Sequence, residues 1–324
     1  SESVGITKLS LWLKTASKHK ELTALDENVK CGNSLIGSEI KDFYNELQED
    51  ISEEEREKQI RKLSPFDWKT EFPGIMANGG FDVVIGNPPY GAELNKKDKD
   101  FLRNKYPELQ FKIDTYSVFI LKSTELLRKN AYCYFIVPNT ILDNYFEEKI
   151  REKLLKQNQV KEIIDLSDNI FEEAVVHSMI LGFKKAVKSN YLIKANTSKN
   201  LNEEYLCIPN TYFVEQDKFV FAIRNYNQKD LLNKLNVKSV PLKKILDIRQ
   251  AIKTGNDKVY ITHEQKKENF KPILRGRDIR KWSIINPDLY VNYGNHLACP
   301  RDSEIFEQPK ILLRESGNRI IATY

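Results

Sequence analysis

The tetrapeptide Asn87-Pro88-Pro89-Tyr90 holds the residue types in this 324-residue chain that best suit chemistry. It places a side-chain amide, a backbone stiffened by two prolines and an aromatic plate within four residues. Each proline fixes its own backbone torsion and donates no hydrogen bond, so the carbonyls of the loop point in set directions. The Asn87 side-chain oxygen and the Pro88 carbonyl can each accept one hydrogen from an NH2 group. Accepting both draws the nitrogen lone pair out of conjugation with its ring and makes the nitrogen nucleophilic. Tyr90 can stack on that ring, and Pro89 keeps the bend rigid. The expected substrate is a planar molecule with an exocyclic amine. The same four residues equally describe a plain strand stop, in which prolines block further pairing. Competing chemistries lack their residues. Cys31, Cys133, Cys207 and Cys299 lie far apart without metal-type spacing, and the four histidines are scattered. Reduced structural thiols are expected, with no metal site and no disulfide framework.

The elements around the loop follow from hydropathy patterning. Phe81–Gly86 is a compact β-branched run flanked by glycine, which predicts a buried parallel strand. It would deliver the loop to the carboxyl edge of an α/β sheet, where such sheets bind ligands. Upstream, Ile6, Leu9 and Leu13 predict a helix over residues 4–14. A short strand over 28–30 should enter the tight segment Cys31-Gly32-Asn33-Ser34. Residues 38–64 read as a charged helical insertion with one apolar stripe of Ile40, Phe43, Leu47 and Ile51. Downstream, Tyr116, Phe119, Ile120, Ser123 and Leu127 trace a helix with Asp114 as its N-cap. Strands are expected over 132–137, 160–166 and 175–183, with a helix carrying Phe146, Ile150 and Leu154 before the second. Strands separated by helix-length connections predict a largely parallel sheet. The periodicity weakens after Asn190. A helix follows over 227–235, then turns at Thr254-Gly255-Asn256-Asp257, Arg275-Gly276-Arg277-Asp278 and Asn286-Pro287. The expected division is 1–225 and 226–324.

Charge is unevenly spread. The chain carries 51 Lys and Arg against 46 Asp and Glu, a net of +5. Residues 225–324 hold 19 of the basic and 11 of the acidic side chains, a net of +8, which leaves the front at −3. A basic back suggests a polyanionic partner, although charged residues near turns are also ordinary solvated surface. Arg249, Lys253, Thr254, Arg275 and Arg277 are the candidates there. The hydrophobic fraction of 40% excludes a mainly disordered chain. No apolar run reaches the ~18 residues of a membrane span, so no membrane partner and a cytoplasmic location are expected.

The segment Phe81-Asp82-Val83-Val84-Ile85-Gly86-Asn87-Pro88-Pro89-Tyr90 resembles motif IV of the amino-methyltransferases that modify DNA. An ordered series extends the likeness. Leu11-Trp12-Leu13 and the stretch from Asn28 through Cys31-Gly32-Asn33-Ser34 to Ile36 are similar to the helix and motif III region of type IIG restriction–modification methyltransferases. Asp114-Thr115-Tyr116 with Phe119 resembles their motif V, Tyr134-Phe135-Ile136-Val137-Pro138-Asn139 motif VI, and Asn169-Ile170-Phe171 motif VIII. Thr254-Gly255-Asn256-Asp257, the run from Leu274 to Ile279 and Leu313-Arg314-Glu315 resemble the start of their target recognition domains.

This resemblance, to the gamma-class N6-adenine enzymes, implies a partial Rossmann-like α/β methyltransferase sheet followed by the start of an α+β target recognition domain. It implies S-adenosyl-L-methionine as cofactor and double-stranded DNA as partner, with an endonuclease domain as a further possibility in the parent chain. Asn87, Pro88, Pro89 and Tyr90 would be catalytic, and Tyr90 and Phe171 would sandwich an adenine extruded from the duplex. Asn33, Ser34 and Asn87 would bind the cofactor, while an Asx turn equally accounts for Asn33 and a helix N-cap for Asp114. The family's glycine-rich cofactor loop and acidic ribose ligand would precede Glu2-Ser3-Val4. The resemblance therefore implies a fragment that binds cofactor weakly or not at all and is itself inactive. Two alternatives stand beside it: a protein glutamine N5-methyltransferase, which shares the loop, and a non-catalytic DNA-binding fragment.

Overall fold

The computed structural model describes residues 2–15, 24–47, 52–92, 94–110, 113–166, 177–197, 204–265, 268–285, 288–315 and 319–324. The chain divides into two compact units, Ser1–Asp230 and Leu231–Tyr324.

The first unit is built on a six-stranded sheet. Its strands are β1 (Phe81–Gly86), β2 (Leu127–Pro138), β3 (Gln159–Asp165), β4 (Ser178–Lys184), β5 (Leu192–Asn196) and β6 (Leu206–Pro209). They lie in the order β1-β2-β4-β3-β5-β6. β1 with β2 and β3 with β5 run parallel, whereas β4 is antiparallel to both its neighbours and β6 is antiparallel to β5. The sheet is thus mixed, not largely parallel. Spacing misled because the connection from Asp165 to Ser178 is long enough for a crossover yet joins antiparallel neighbours. β5 and β6 lie where the sequence pattern had faded.

Register is set tightly at the sheet centre. Gly182 of β4 faces Tyr134 of β2, and a Cβ on Gly182 would stand 2.4 Å from Tyr134 Cε1. The missing side chain makes room for that ring. At the entry to β1, Gly80 has φ +119°, and a Cβ there would stand 2.2 Å from the Leu126 carbonyl. Only glycine fits so close an approach.

β1 departs from expectation in its burial. Val83 is 54% exposed and Ile85 80%, so one face of the strand is open while Val84 packs inward on the core. Among the described residues β1 is an outer strand paired with β2 alone, and nothing covers the face that Val83 and Ile85 share.

Helices pack on parts of the sheet, against β1, β2, β3 and β6. Thr115–Leu126 buries nine of its residues, including Tyr116, Val118, Ile120 and Leu121, which explains its low polarity. Glu148–Gln157 buries Ile150, Leu154 and Leu155, together with the side chain of Arg151. In the charged insertion, helices Ile40–Glu46 and Glu53–Leu63 are described, and Ile40 and Phe43 of the expected stripe pack on the core. Ser52 caps the second by accepting from the Glu55 amide. Ile51 lies outside the described residues. Helix Glu2–Thr15 forms as expected but buries none of its residues. The expected strand over 28–30 is a turn, since the amides of Asn28 and Val29 both donate to the Leu25 carbonyl. The only bridge in that segment is Asn33 with Pro65.

The second unit carries a three-stranded antiparallel sheet with Tyr290–Asn292 between Ile261–Thr262 and Phe270–Pro272. Among the described residues no helix is long and apolar enough to cross a membrane.

Candidate active site

Because β1 and β2 run parallel, their carboxyl ends lie side by side, and the loop 87–91 leaves the sheet there. Pro88 is buried, Asn87 and Pro89 are exposed, and Tyr90 is half-buried. The two prolines end the ladder as the sequence required.

Tyr90 is tied at its tip. Its hydroxyl lies 3.0 Å from Asn87 Oδ1 and 3.2 Å from the Ile136 carbonyl at the end of β2, and donates to them. Burial pushes the phenol up from its ordinary value. The hydroxyl therefore stays protonated at neutral pH and remains a donor. Asn87 Oδ1 is thus oriented by Tyr90 and keeps a second lone pair for another hydrogen.

The backbone on either side of Tyr90 is held from the start of the helix Thr115–Leu126. Thr115 Oγ1 donates to the Pro89 carbonyl at 2.6 Å, and the Gly91 amide donates to Asp114 Oδ1 at 3.0 Å. The expected N-cap role of the Asp114 side chain is not what is found. Asp114 occupies the N-cap position, but its side chain makes no capping bond and reaches the loop instead. Gly91 has φ +64°, a left-handed turn that suits glycine and turns its amide to that carboxylate.

A polar layer lies behind the loop. The Tyr116 ring stands edge-on to Tyr90, with centroids 6.4 Å apart. Tyr116 Oη and Ser117 Oγ donate to Glu147 Oε1 at 3.2 and 2.9 Å. Burial pushes the Glu147 carboxyl up, and those two hydroxyls partly oppose the shift. Tyr116 is also pushed up, first by burial and then by the Glu147 charge. Next to them Arg151, with no exposed surface, donates to the carbonyls of Ile141, Asn144 and Lys218.

The other sequence-derived candidates lie as follows. Asn33 Oδ1 accepts from the Leu35 amide at 3.2 Å, so an Asx turn is present at Asn33. The Ser34 carbonyl accepts from Trp68 Nε1, within an aromatic cluster of Phe66, Trp68, Phe72 and Phe81 that reaches the start of β1. Phe171 lies outside the described residues. In the second unit, Arg249 is exposed and pairs with Asp247. Lys253 is exposed and its backbone bridges to Cys299. Thr254 is buried and its hydroxyl donates to Asp257 at 2.5 Å. Arg275 contacts the same Asp257 at 3.5 Å, and Arg277 projects with 74% of its side chain exposed. Arg314 braces this turn by donating to the carbonyls of Gly276 and Ile279.

Sequence reasoning gave no role to Thr115, to the Ile136 carbonyl or to the Glu147–Arg151 layer. Contacts to main-chain oxygens carry no side-chain signature, so only the Asp114-Thr115-Tyr116 likeness pointed there. The four cysteines form no disulfide, and among the described residues no cluster of His, Cys, Asp and Glu could hold a metal ion.

Residues 1–171 match the family described as Eco57I restriction-modification methylase, and 271–324 match the TaqI-like C-terminal specificity domain. A putative type II restriction enzyme and methyltransferase of Methanocaldococcus jannaschii is 28% identical over 295 residues, 83% of this chain and 24% of that protein. The type II restriction enzyme and methyltransferase RM.Eco57I of Escherichia coli is 28% identical over 76% of this chain and 24% of its own length. The chain therefore spans about a quarter of the length of these relatives. Among solved structures, the type IIL restriction-modification enzyme MmeI in complex with DNA aligns with 70% of this chain and 31% of that one. The identity is 15% and the TM-score 0.43.

Proposed function

Because the chain belongs to the Eco57I restriction-modification methylase family, we propose that the full-length protein transfers a methyl group to the N6 amine of an adenine in DNA, with this chain supplying the loop that holds the amine. The observation that carries this reading is the loop 87–91 itself. The Asn87 side-chain oxygen, oriented by Tyr90, begins a proline-stiffened loop at the shared carboxyl edge of two parallel strands.

S-adenosyl-L-methionine would supply an activated methyl on sulfur. The donor set suits it: Asn33 presents an amide nitrogen and a second lone pair on Oδ1 for an adenine edge. Asn33 and Ser34 would hold that end and Asn87 the methyl end. The target adenine must leave the base stack, and its face would lie on Tyr90, with Phe171 assigned to the opposite face. Asn87 Oδ1 and the Pro88 carbonyl would accept the two amine hydrogens. Held so, the amine nitrogen would present its lone pair toward the methyl group that the cofactor would supply, and the proton it sheds would pass to water. The chain's contribution is positioning and charge stabilisation.

In the basic second unit, Lys253 presents an exposed cation suited to phosphates, while Arg249, Arg275 and Arg277 stand beside Asp247, Asp257 and Asp278 and Thr254 shapes the turn. The full-length protein would combine methylation with DNA cleavage in a restriction–modification system. Incubation with methyl-labelled cofactor and mixed duplexes, followed by nucleoside analysis, tests the proposal. N6-methyladenine is expected; N4-methylcytosine or label in protein glutamine would overturn it. Cleavage of the unmethylated duplex tests the paired activity.

A further inference from the structure

We propose that Asp114 and Thr115 are positioning residues that clamp the substrate loop and fix the plane of Tyr90 on which the target base stacks. The inference rests on the function proposed above and adds to it two residues that touch neither base nor cofactor.

The geometry is specific. Prolines at 88 and 89 cannot donate, so the loop has few polar handles by which the protein can hold it. Two of them flank Tyr90, the Pro89 carbonyl and the Gly91 amide, and adjacent residues at one helix start take both. Thr115 is 2% exposed, and its hydroxyl reaches the carbonyl at 2.6 Å. Asp114 forgoes capping its own helix to accept from Gly91. With the Tyr90 hydroxyl tied to Ile136 at the far end, the ring is restrained at its backbone and at its tip. A stacking plate so restrained needs no reordering when the base arrives, and the Pro88 carbonyl next to it keeps its aim.

The role asked of Asp114 is that of an acceptor, not of a charge. Asp114→Asn keeps an acceptor oxygen, whereas Asp114→Ala removes it. Likewise Thr115→Ser keeps the hydroxyl, and Thr115→Val removes it at constant shape. In the full-length protein, Asp114→Ala and Thr115→Val are expected to lower kcat about tenfold, as for one lost hydrogen bond. KM for duplex and for cofactor should stay within about twofold, since binding groups are untouched. Asp114→Asn and Thr115→Ser should recover most of kcat. Wild-type kcat in Asp114→Ala, equal damage in Asp114→Asn, or a loss confined to KM would overturn the proposal. Should Asp114→Ala not fold, the Thr115 pair decides by the same criteria. Hydrogen exchange at the Gly91 amide supplies a readout independent of turnover. Faster exchange in Asp114→Ala with protection kept in Asp114→Asn supports the clamp even if the wild-type protein methylates no DNA, which would refute the function alone. Unchanged exchange in Asp114→Ala refutes the clamp.

Discussion

Replacing Tyr90 by phenylalanine separates its two proposed duties. The variant keeps the ring and its edge contact with Tyr116 but loses the hydroxyl that lies 3.0 Å from Asn87 Oδ1 and 3.2 Å from the Ile136 carbonyl. A phenol has one proton to give, so those two distances describe one shared hydrogen bond, not two. Its net worth is about 1 kcal/mol. If that restraint matters only for aiming Asn87, Tyr90→Phe should slow methyl transfer about fivefold. Tyr90→Ala also removes the stacking surface, worth about 1–3 kcal/mol per base. The combined loss of about 2–4 kcal/mol corresponds to roughly 30- to 1,000-fold in rate. Burial raises the Tyr90 phenol above its ordinary value, so the hydroxyl keeps its proton through neutral pH. The ratio of wild-type to Tyr90→Phe rates should accordingly be flat from about pH 6 to about pH 9. The assay is single-turnover transfer of labelled methyl at saturating duplex and cofactor. A Phe variant as slow as the Ala variant would show that the hydroxyl takes part in the chemistry. An Ala variant no slower than the Phe variant would show that the ring stacks on nothing.

Three further expectations concern the frame behind the loop. Arg151→Met removes the donor that the Ile141, Asn144 and Lys218 carbonyls share and takes the buried guanidinium from beside Glu147, which should cost about 3–5 kcal/mol in urea denaturation; a loss below about 1 kcal/mol would contradict the buried placement. The raised Glu147 carboxyl means that the folded state binds its proton more tightly than the unfolded one. Stability from this group is therefore greatest below the ordinary carboxylate value and falls as pH rises toward the folded one. Glu147→Gln removes that dependence, so its stability relative to wild type should climb as pH rises above the ordinary carboxylate value, and a pH-independent difference would refute it. Gly182→Ala forces a methyl against the Tyr134 ring and should lower stability by about 1–3 kcal/mol. Pairing it with Tyr134→Ala should restore part of that loss; no restoration would place the strain elsewhere.

What the sequence disclosed, and what it hid, follows the range of the interactions. β1, the proline stop after it and the apolar helix from Thr115 are local patterns, and each was legible. Tyr90 and Asn87 could be singled out by residue type. The sheet order was not legible, because β4 inserts antiparallel between β2 and β3 through pairing that no spacing encodes. The openness of β1 was hidden for a similar reason: Val83 and Ile85 are typical of a strand covered on both faces, and burial depends on neighbours elsewhere. Asp114 shows a third kind of gap. Its position fits a helix cap, yet the Gly91 amide, 23 positions upstream, is the partner it takes.

The open flank of β1 bears on how the protein behaves in a tube. Among the described residues the far edge of β1, beside Val83 and Ile85, pairs with no other strand, and such an edge is a template on which a like strand can zip up. Preparations that leave this border bare should become turbid as they are concentrated, by edge-to-edge pairing of otherwise intact molecules. A lysine in place of Ile85 would blunt the border at a site that the core does not use.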